Sequence, residues 1–208
     1  MLLPKIADIV FPRYCVGCGT EGSLLCPPCW QKIHHSRPAK WPTYKELGTL
    51  TALGAFKGPL REAIHSLKFS SVKTLAEPIA RELATLCREK RMPKGIIIPI
   101  PLSRARARIR GYNQSALVAK KLAFLLGWYY LEALERQRHT LSQADLKRTE
   151  RLKNVQGAFI CRYNFSKNRL PLYLLDDVIT TGATLHSATQ ALKQSGACKV
   201  RPIAIACD

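Results

Sequence analysis

Two carboxylates, three threonine hydroxyls and one glycine fall within the run Leu174-Leu175-Asp176-Asp177-Val178-Ile179-Thr180-Thr181-Gly182-Ala183-Thr184. The apolar residues Tyr173 to Leu175 read as a buried strand that delivers both acids at its C-terminal end. The chain then turns through small hydroxyl residues into a helix beginning near Gly182, and ligands of open α/β sheets bind at such strand ends. Successive backbone N–H groups from Thr180 to Thr184, with the positive end of the helix dipole behind them, suit a dianionic phosphate. Ionised Asp176 and Asp177 can only accept hydrogen bonds, so their partners are ribose hydroxyls or a hydrated Mg²⁺. The spacing describes a site for a phosphorylated ribose. A Walker-type triphosphate loop is excluded, because no Gly-x4-Gly-Lys-Ser/Thr segment occurs.

A second chemical segment is Pro99-Ile100-Pro101-Leu102-Ser103-Arg104-Ala105-Arg106-Ala107-Arg108-Ile109-Arg110-Gly111-Tyr112-Asn113-Gln114. It follows a β-branched run, Gly95 to Pro101, with the pattern of a strand buried on both faces. It therefore reads as a basic loop on the same sheet edge as the Asp-Asp turn. Guanidinium groups pair bidentately with phosphate oxygens, and a pyrophosphate needs several donors. Pro101, Leu102, Ser103 and Arg104 are candidates for facing a pyrophosphate.

Cys15-x-x-Cys18 and Cys26-x-x-Cys29 form a third constellation, while Cys87, Cys161, Cys198 and Cys207 stand alone. Two such pairs make a tetrahedral thiolate site. Zinc suits these ligands in a structural role, since four protein ligands leave no open position. An iron–sulfur site and a metal-free loop are the alternatives. His34 and His35 are then surplus and read as solvated.

The Asp-Asp turn resembles the phosphoribosyl pyrophosphate (PRPP) loop of type I phosphoribosyltransferases. The order of segments resembles the ComF family, in its ComFC or GntX-like branch: a Cys-x-x-Cys pair, Gly58-Pro59-Leu60-Arg61 with Leu67-Lys68-Phe69, Pro99 to Gln114, Gln143 with Arg151-x-x-Asn154, then the Asp-Asp loop. The resemblance covers essentially the whole chain, and Tyr112 stands where the family commonly has Phe. It implies a phosphoribosyltransferase-like scaffold that binds PRPP with Mg²⁺ through Asp176, Asp177, Thr180, Thr181, Gly182, Ala183 and Thr184. It also implies the handling of incoming single-stranded DNA in natural transformation or DNA utilisation, with other DNA-uptake proteins as partners.

The elements that must position these residues divide at about residue 45. Residues 1–45 read as a short apolar helix, with Leu2, Ile6, Ile9 and Val10 roughly on one face, followed by the four-cysteine module. A segment this small buries little core, so metal binding is expected to stabilise it. Residues 46–208 read as an α/β domain, a parallel sheet with helices on both faces. Its expected strands are Thr49 to Phe56, Gly95 to Pro101, Tyr129 to Leu134, Leu172 to Leu175 and Lys199 to Ala206. Its expected helices are Gly58 to about Phe69, one carrying Leu75, Ile79, Leu83 and Leu86, Asn113 to Leu126, and Ala183 to Gln194. His65, on the apolar side of its helix, reads as a packing residue.

With 33 basic and 14 acidic residues the chain carries +19 over 208 residues, which points to a polyanionic partner. The 66 residues from Arg88 to Lys153 hold 16 basic and 5 acidic side chains, interleaved with Tyr112, Trp128, Tyr129 and Tyr130. Basic grooves with aromatic platforms suit single strands. Arg106, Arg108, Arg110, Tyr112, Lys147, Arg148, Arg151 and Lys153 are the candidate DNA contacts. At least half of the rings from Trp128 to Tyr130 are expected in the core. Arg136 to Asn154 reads either as a lid over the ribose or as a polar surface helix.

Apolar content of 47% with 23% charge is globular, and no run approaches the ~20 apolar residues of a membrane span. The expectation is a cytoplasmic protein without membrane insertion. Three readings stay open: a protein that binds PRPP and DNA without turnover, a Mg²⁺-dependent phosphoribosyltransferase acting on a nucleobase or other nitrogen nucleophile with no direct DNA role, and an adaptor with a vestigial sugar site. Intact Asp176, Asp177 and Thr180 to Thr184 speak against the third. No residue is assigned as general acid or base.

Overall fold

The computed structural model describes residues 13–44, 47–70, 72–137 and 157–208. The expected helix at Leu2 to Val10, the Gln143 and Asn154 positions, and Lys147, Arg148, Arg151 and Lys153 lie outside the described residues. Helix α1 (Pro27–His35) follows the cysteine knuckles, and β1 (Thr43–Tyr44) pairs antiparallel with β2 (Gly48–Thr49). Then come β3 (Thr51–Ala55), α2 (Gly58–Phe69), α3 (Ala76–Glu89), β4 (Ile96–Pro99), α4 (Arg104–Arg110), α5 (Gln114–Leu126) and β5 (Tyr129–Tyr130). β6 (Leu134–Arg136), β7 (Phe159–Cys161), β8 (Leu172–Ile179), α6 (Ala183–Gln194) and β9 (Val200–Cys207) complete the order.

Five strands form the expected parallel sheet, in the order β3-β9-β8-β4-β5, while β6 and β7 make a separate antiparallel pair. Alternation along the strands gives the sheet two apolar faces. Tyr173, Leu175, Ile203 and Ile205 pack under α2, α3 and α5, whereas Leu172, Leu174 and Ile98 pack against α6 and the β6–β7 pair. The α3 helix forms because Ala76, Ile79, Ala80, Leu83, Ala84 and Cys87 recur at helical spacing and are all buried. In α5, Asn113 caps the first turn by accepting from the Ser115 N–H (3.0 Å), and Gly127, at φ 64°, closes the last. Its buried stripe is Gln114, Ser115, Val118, Ala119, Leu122 and Ala123.

Three local expectations are corrected. The arginine-rich segment is not a loop from Arg104 onward but the helix α4, capped by Ser103 and ended by Gly111 at φ 71°. The strand expected over Tyr129 to Leu134 is two strands in two sheets, because the chain leaves β5 after Tyr130 to begin β6. β8 continues through both aspartates to Ile179, held by its parallel register with β9. Among the rings, Trp128 stacks on buried Tyr173 at 4.6 Å, while Tyr129 is exposed under Lys94.

Candidate functional site

Parallel strands place the ends of β4 and β8 at one edge, and a cleft of about 160 Å³ opens there. Asp176, Asp177, Thr180 and Thr184 line one side, with Pro101 and Leu102 opposite. A smaller recess beside it is lined by Asp176 and by the residues from Val178 to Leu185. Gly182, at φ 74°, precedes α6, and a Cβ there would lie 2.6 Å from Tyr44 Cε1. Glycine is therefore required twice, by its backbone conformation and by the Tyr44 ring lying over it.

The two carboxylates are held from the start of α5. Gln114 Nε2 donates to Asp177 Oδ2, and Ser115 Oγ donates to Asp176 Oδ1 at 3.5 Å. Lys68 Nζ reaches Asp177 Oδ1 from α2 at 2.8 Å, in a pair whose side chains are 17% and 9% exposed. Asp177 is thus committed to two partners. Burial, then the neighbouring Asp177 charge, pushes the Asp176 carboxyl up to about 7. A cation or a hydroxyl donor at Asp176 would relieve that penalty.

Four cations line the cleft: Lys68, Arg106, Arg110 and Arg136. Burial lowers the Arg110 pKa, with Asp177 acting oppositely, and burial with the Arg106 charge lowers that of Arg136. Arg106 and Arg110 stand one helical turn apart on α4 and so share a face, whereas Arg108 is exposed and is not part of the cleft lining. Arg104 turns instead to Glu135 at 3.7 Å, and Ser103 is occupied in capping α4. Tyr112 donates its hydroxyl to Leu67 O, and Lys73 lies 4.7 Å over its ring, so this side chain is packed between elements and not presented as an open platform. Lys68, Gln114, Ser115, Tyr44 and Arg136 were not assigned roles from the sequence. Lys68 and Gln114 did stand in motifs of the ComF resemblance, Arg136 opened the segment read as a lid or a surface helix but ends β6 instead, and nothing local marked Tyr44.

Cys15, Cys18, Cys26 and Cys29 bring their sulfurs within 4.8 Å of one another. A tetrahedral zinc with ~2.3 Å Zn–S bonds needs sulfurs about 3.8 Å apart, so the donor set and its geometry fit zinc. The Cys18 and Gly19 N–H groups both donate to Cys15 O, folding the first knuckle, and Cys29 sits in the first turn of α1. The thiol of Cys18 is lowered to about 6 chiefly by its Thr20 hydrogen bonds, which favours the thiolate that ligation needs. His34 is not a spare solvated group, because its Nε2 bonds Glu82 Oε2 at 3.0 Å on α3. Among the described residues, no helix is long and apolar enough to cross a membrane.

Fold and site together define a parallel α/β protein with an acidic-hydroxyl turn in a basic cleft and an N-terminal four-cysteine zinc module. Residues 6–40 match the double zinc ribbon domain family; the matched span contains four cysteines, enough for one tetrahedral site. Over 196 residues the chain is 31% identical to DNA utilization protein YhgH of Salmonella typhi, covering 90% of this chain and 81% of that protein. It is likewise 31% identical over 196 residues to competence protein F of Haemophilus influenzae, covering 89% and 80%. To competence protein ComFC of Bacillus subtilis it is 34% identical over 108 residues, covering 49% and 39%. The chain belongs to the ComF family of competence and DNA utilization proteins.

Proposed function

We propose that this chain is a PRPP-binding, phosphoribosyltransferase-like protein of the cytoplasm that handles single-stranded DNA in natural transformation or DNA utilisation. The observation that carries the reading is the pairing, in one cleft, of Asp176, Thr180 and Thr184 with Lys68, Arg106, Arg110 and Arg136. The small recess from Thr180 to Leu185 suits the 5'-phosphate, with α6 behind it. Asp176 suits a ribose hydroxyl or Mg²⁺, and Mg²⁺ would supply charge neutralisation between carboxylate and pyrophosphate oxygens. Pro101 and Leu102 with Arg106 and Arg110 suit the pyrophosphate end. The DNA part is supported by the names of the relatives, by the net charge of +19 and by the basic face of α4.

Calorimetric titration of PRPP with Mg²⁺ into zinc-loaded protein, repeated with single-stranded DNA present, tests both halves. Binding of PRPP is expected in either case, weakened by DNA where the two anions share Arg106 and Arg110. No heat with PRPP would remove the sugar-phosphate reading. Turnover of PRPP is a second reading, which the intact Asp176, Asp177 and Thr180 to Thr184 support. Pyrophosphate release on addition of a nucleobase would establish it.

A further inference from the structure

Outside the cleft, three rings lie in a row beside α2 without a role in the reading above. Phe56 and His65 lie 6.1 Å apart and stack at an interplanar angle of 21°, and His65 and Phe69 lie 5.7 Å apart, tilted at 52°. His65 and Phe69 are four residues apart and so share one face of the helix. Phe56 and His65 are partly buried, whereas Phe69, the last residue of α2, is 67% exposed. Arg110 closes the row, its guanidinium carbon 4.9 Å over the Phe69 ring.

That position joins the rings to the cleft. Arg110 touches Phe69 on one side and lines the cleft on the other, and Lys68, next to Phe69 in sequence, points into the same cleft. Beside them α4 buries none of its seven residues and offers Arg106, Arg108 and Ile109, the last 85% exposed. A lone exposed phenylalanine is unremarkable. An exposed phenylalanine in tilted contact with a second ring, with a guanidinium over it and an uncovered basic helix beside it, has the parts of a single-strand site, in which cations track the phosphates and aromatic faces take the bases.

We propose that Phe69, backed by His65 and flanked by Arg110, is a base-stacking platform for single-stranded DNA at the mouth of the cleft. It rests on the DNA-handling part of the reading above and names the surface where that handling occurs. A base packs on the exposed part of the Phe69 ring, beside Arg110, and the adjoining phosphates follow the exposed arginines of α4. The charge of this surface fits a polyanion, and a ring that stacks without hydrogen bonds to base edges gives no sequence preference.

The test compares an oligothymidylate with an abasic oligomer of equal length, titrated by fluorescence anisotropy into the zinc-loaded full chain. The parent should prefer the oligothymidylate by roughly 5- to 150-fold, the range expected for one stacked base. Phe69→Ala should lose most of that margin while its affinity for the abasic oligomer and its salt dependence stay unchanged, and Phe69→Tyr should keep the margin. Phe69→Leu retains apolar bulk without a π-face and should behave like the alanine variant, which guards against a folding defect. Equal affinity of the parent for both oligomers, or a margin intact in Phe69→Ala and Phe69→Leu, overturns the platform and leaves DNA binding standing. Binding of neither oligomer removes the DNA reading and the platform with it.

Discussion

Lys68 Nζ lies 2.8 Å from Asp177 Oδ1, tying the last turn of α2 to the strand that opens into the Thr180 to Thr184 turn. The two residues are 109 positions apart, and Gln114 completes the arrangement from α5. Asp177 is therefore held from two helices, whereas Asp176 accepts from Ser115 Oγ and from the Asp177 N–H. Removing one partner of a buried pair leaves the other charge uncompensated. Lys68→Met should destabilise the protein by about 3 kcal/mol, near the lower end for such losses because Lys68 keeps some solvent contact. The double variant Lys68→Met with Asp177→Asn should recover part of it. Urea unfolding checks both, and an unchanged midpoint in Lys68→Met would show that the pair contributes nothing.

Asp176 sets a pH dependence with a definite sign. Its folded pKa, about 7, lies above the ~3.9 of an unperturbed aspartate, so between those values the folded state holds a proton that the unfolded state has released. Stability from this group is complete below about pH 4 and is lost as pH rises through 7. The ligand-free protein should melt lower at pH 8 than at pH 5, by an amount on the order of 2–4 kcal/mol, and Asp176→Asn should flatten the profile. Mg²⁺ with PRPP should reverse the trend, because binding favours the ionised carboxylate. Thermal melts across that range, with parent and variant giving parallel profiles, would remove Asp176 as the cause.

Zinc should stabilise more than the N-terminal module. Cys15, Leu25, Cys29 and Ile33 belong to the same apolar cluster as Leu53, Leu60 and Ile64, so the module and the sheet share core. Structural zinc supplies ~10–16 kcal/mol of apparent binding free energy in small modules. Chelation, or Cys26→Ser, should lower the melting temperature of the whole protein in one transition, with one zinc per chain found by elemental analysis of the parent. Two separate transitions, or no stoichiometric zinc, would contradict this.

The parallel sheet, the turn from Asp176 to Thr184 and the cysteine pairs were legible because each rests on local pattern: β-branched runs, adjacent acids before threonines, paired Cys-x-x-Cys. The α4 helix was hidden because no face of it is buried, so arginines alternating with small residues give no apolar period. Its ends were nevertheless written in Ser103 and Gly111, residue types of an N-cap and a C-terminal stop. Lys68 and Arg136 reach the cleft only through tertiary packing, which a lysine in an amphipathic helix or an arginine at a strand end does not announce. The break between β5 and β6 was missed for a related reason, since Leu131 to Ala133 continues the apolar pattern while the chain changes sheets.

On the proposed reading, the geometry of α4 separates a DNA surface from a sugar-phosphate cleft. Arg106 lines the cleft and Arg108 does not, though both are exposed on one short helix. Arg108→Gln should weaken single-stranded DNA binding and leave PRPP affinity unchanged, whereas Arg106→Gln should weaken both. Each phosphate contact on a single strand contributes ~0.7 to the slope of log K against log salt. The double variant should then flatten the slope by about 1.4, and neutralising Lys193 and Lys199, which lie outside the cleft lining, should change it little. Salt titrations by anisotropy measure the slopes, and calorimetry measures PRPP. A parent slope near zero would leave the charge of this surface without a nucleic-acid role, and equal loss of PRPP affinity in both single variants would show that α4 acts on the cleft as a unit and not through its inward face.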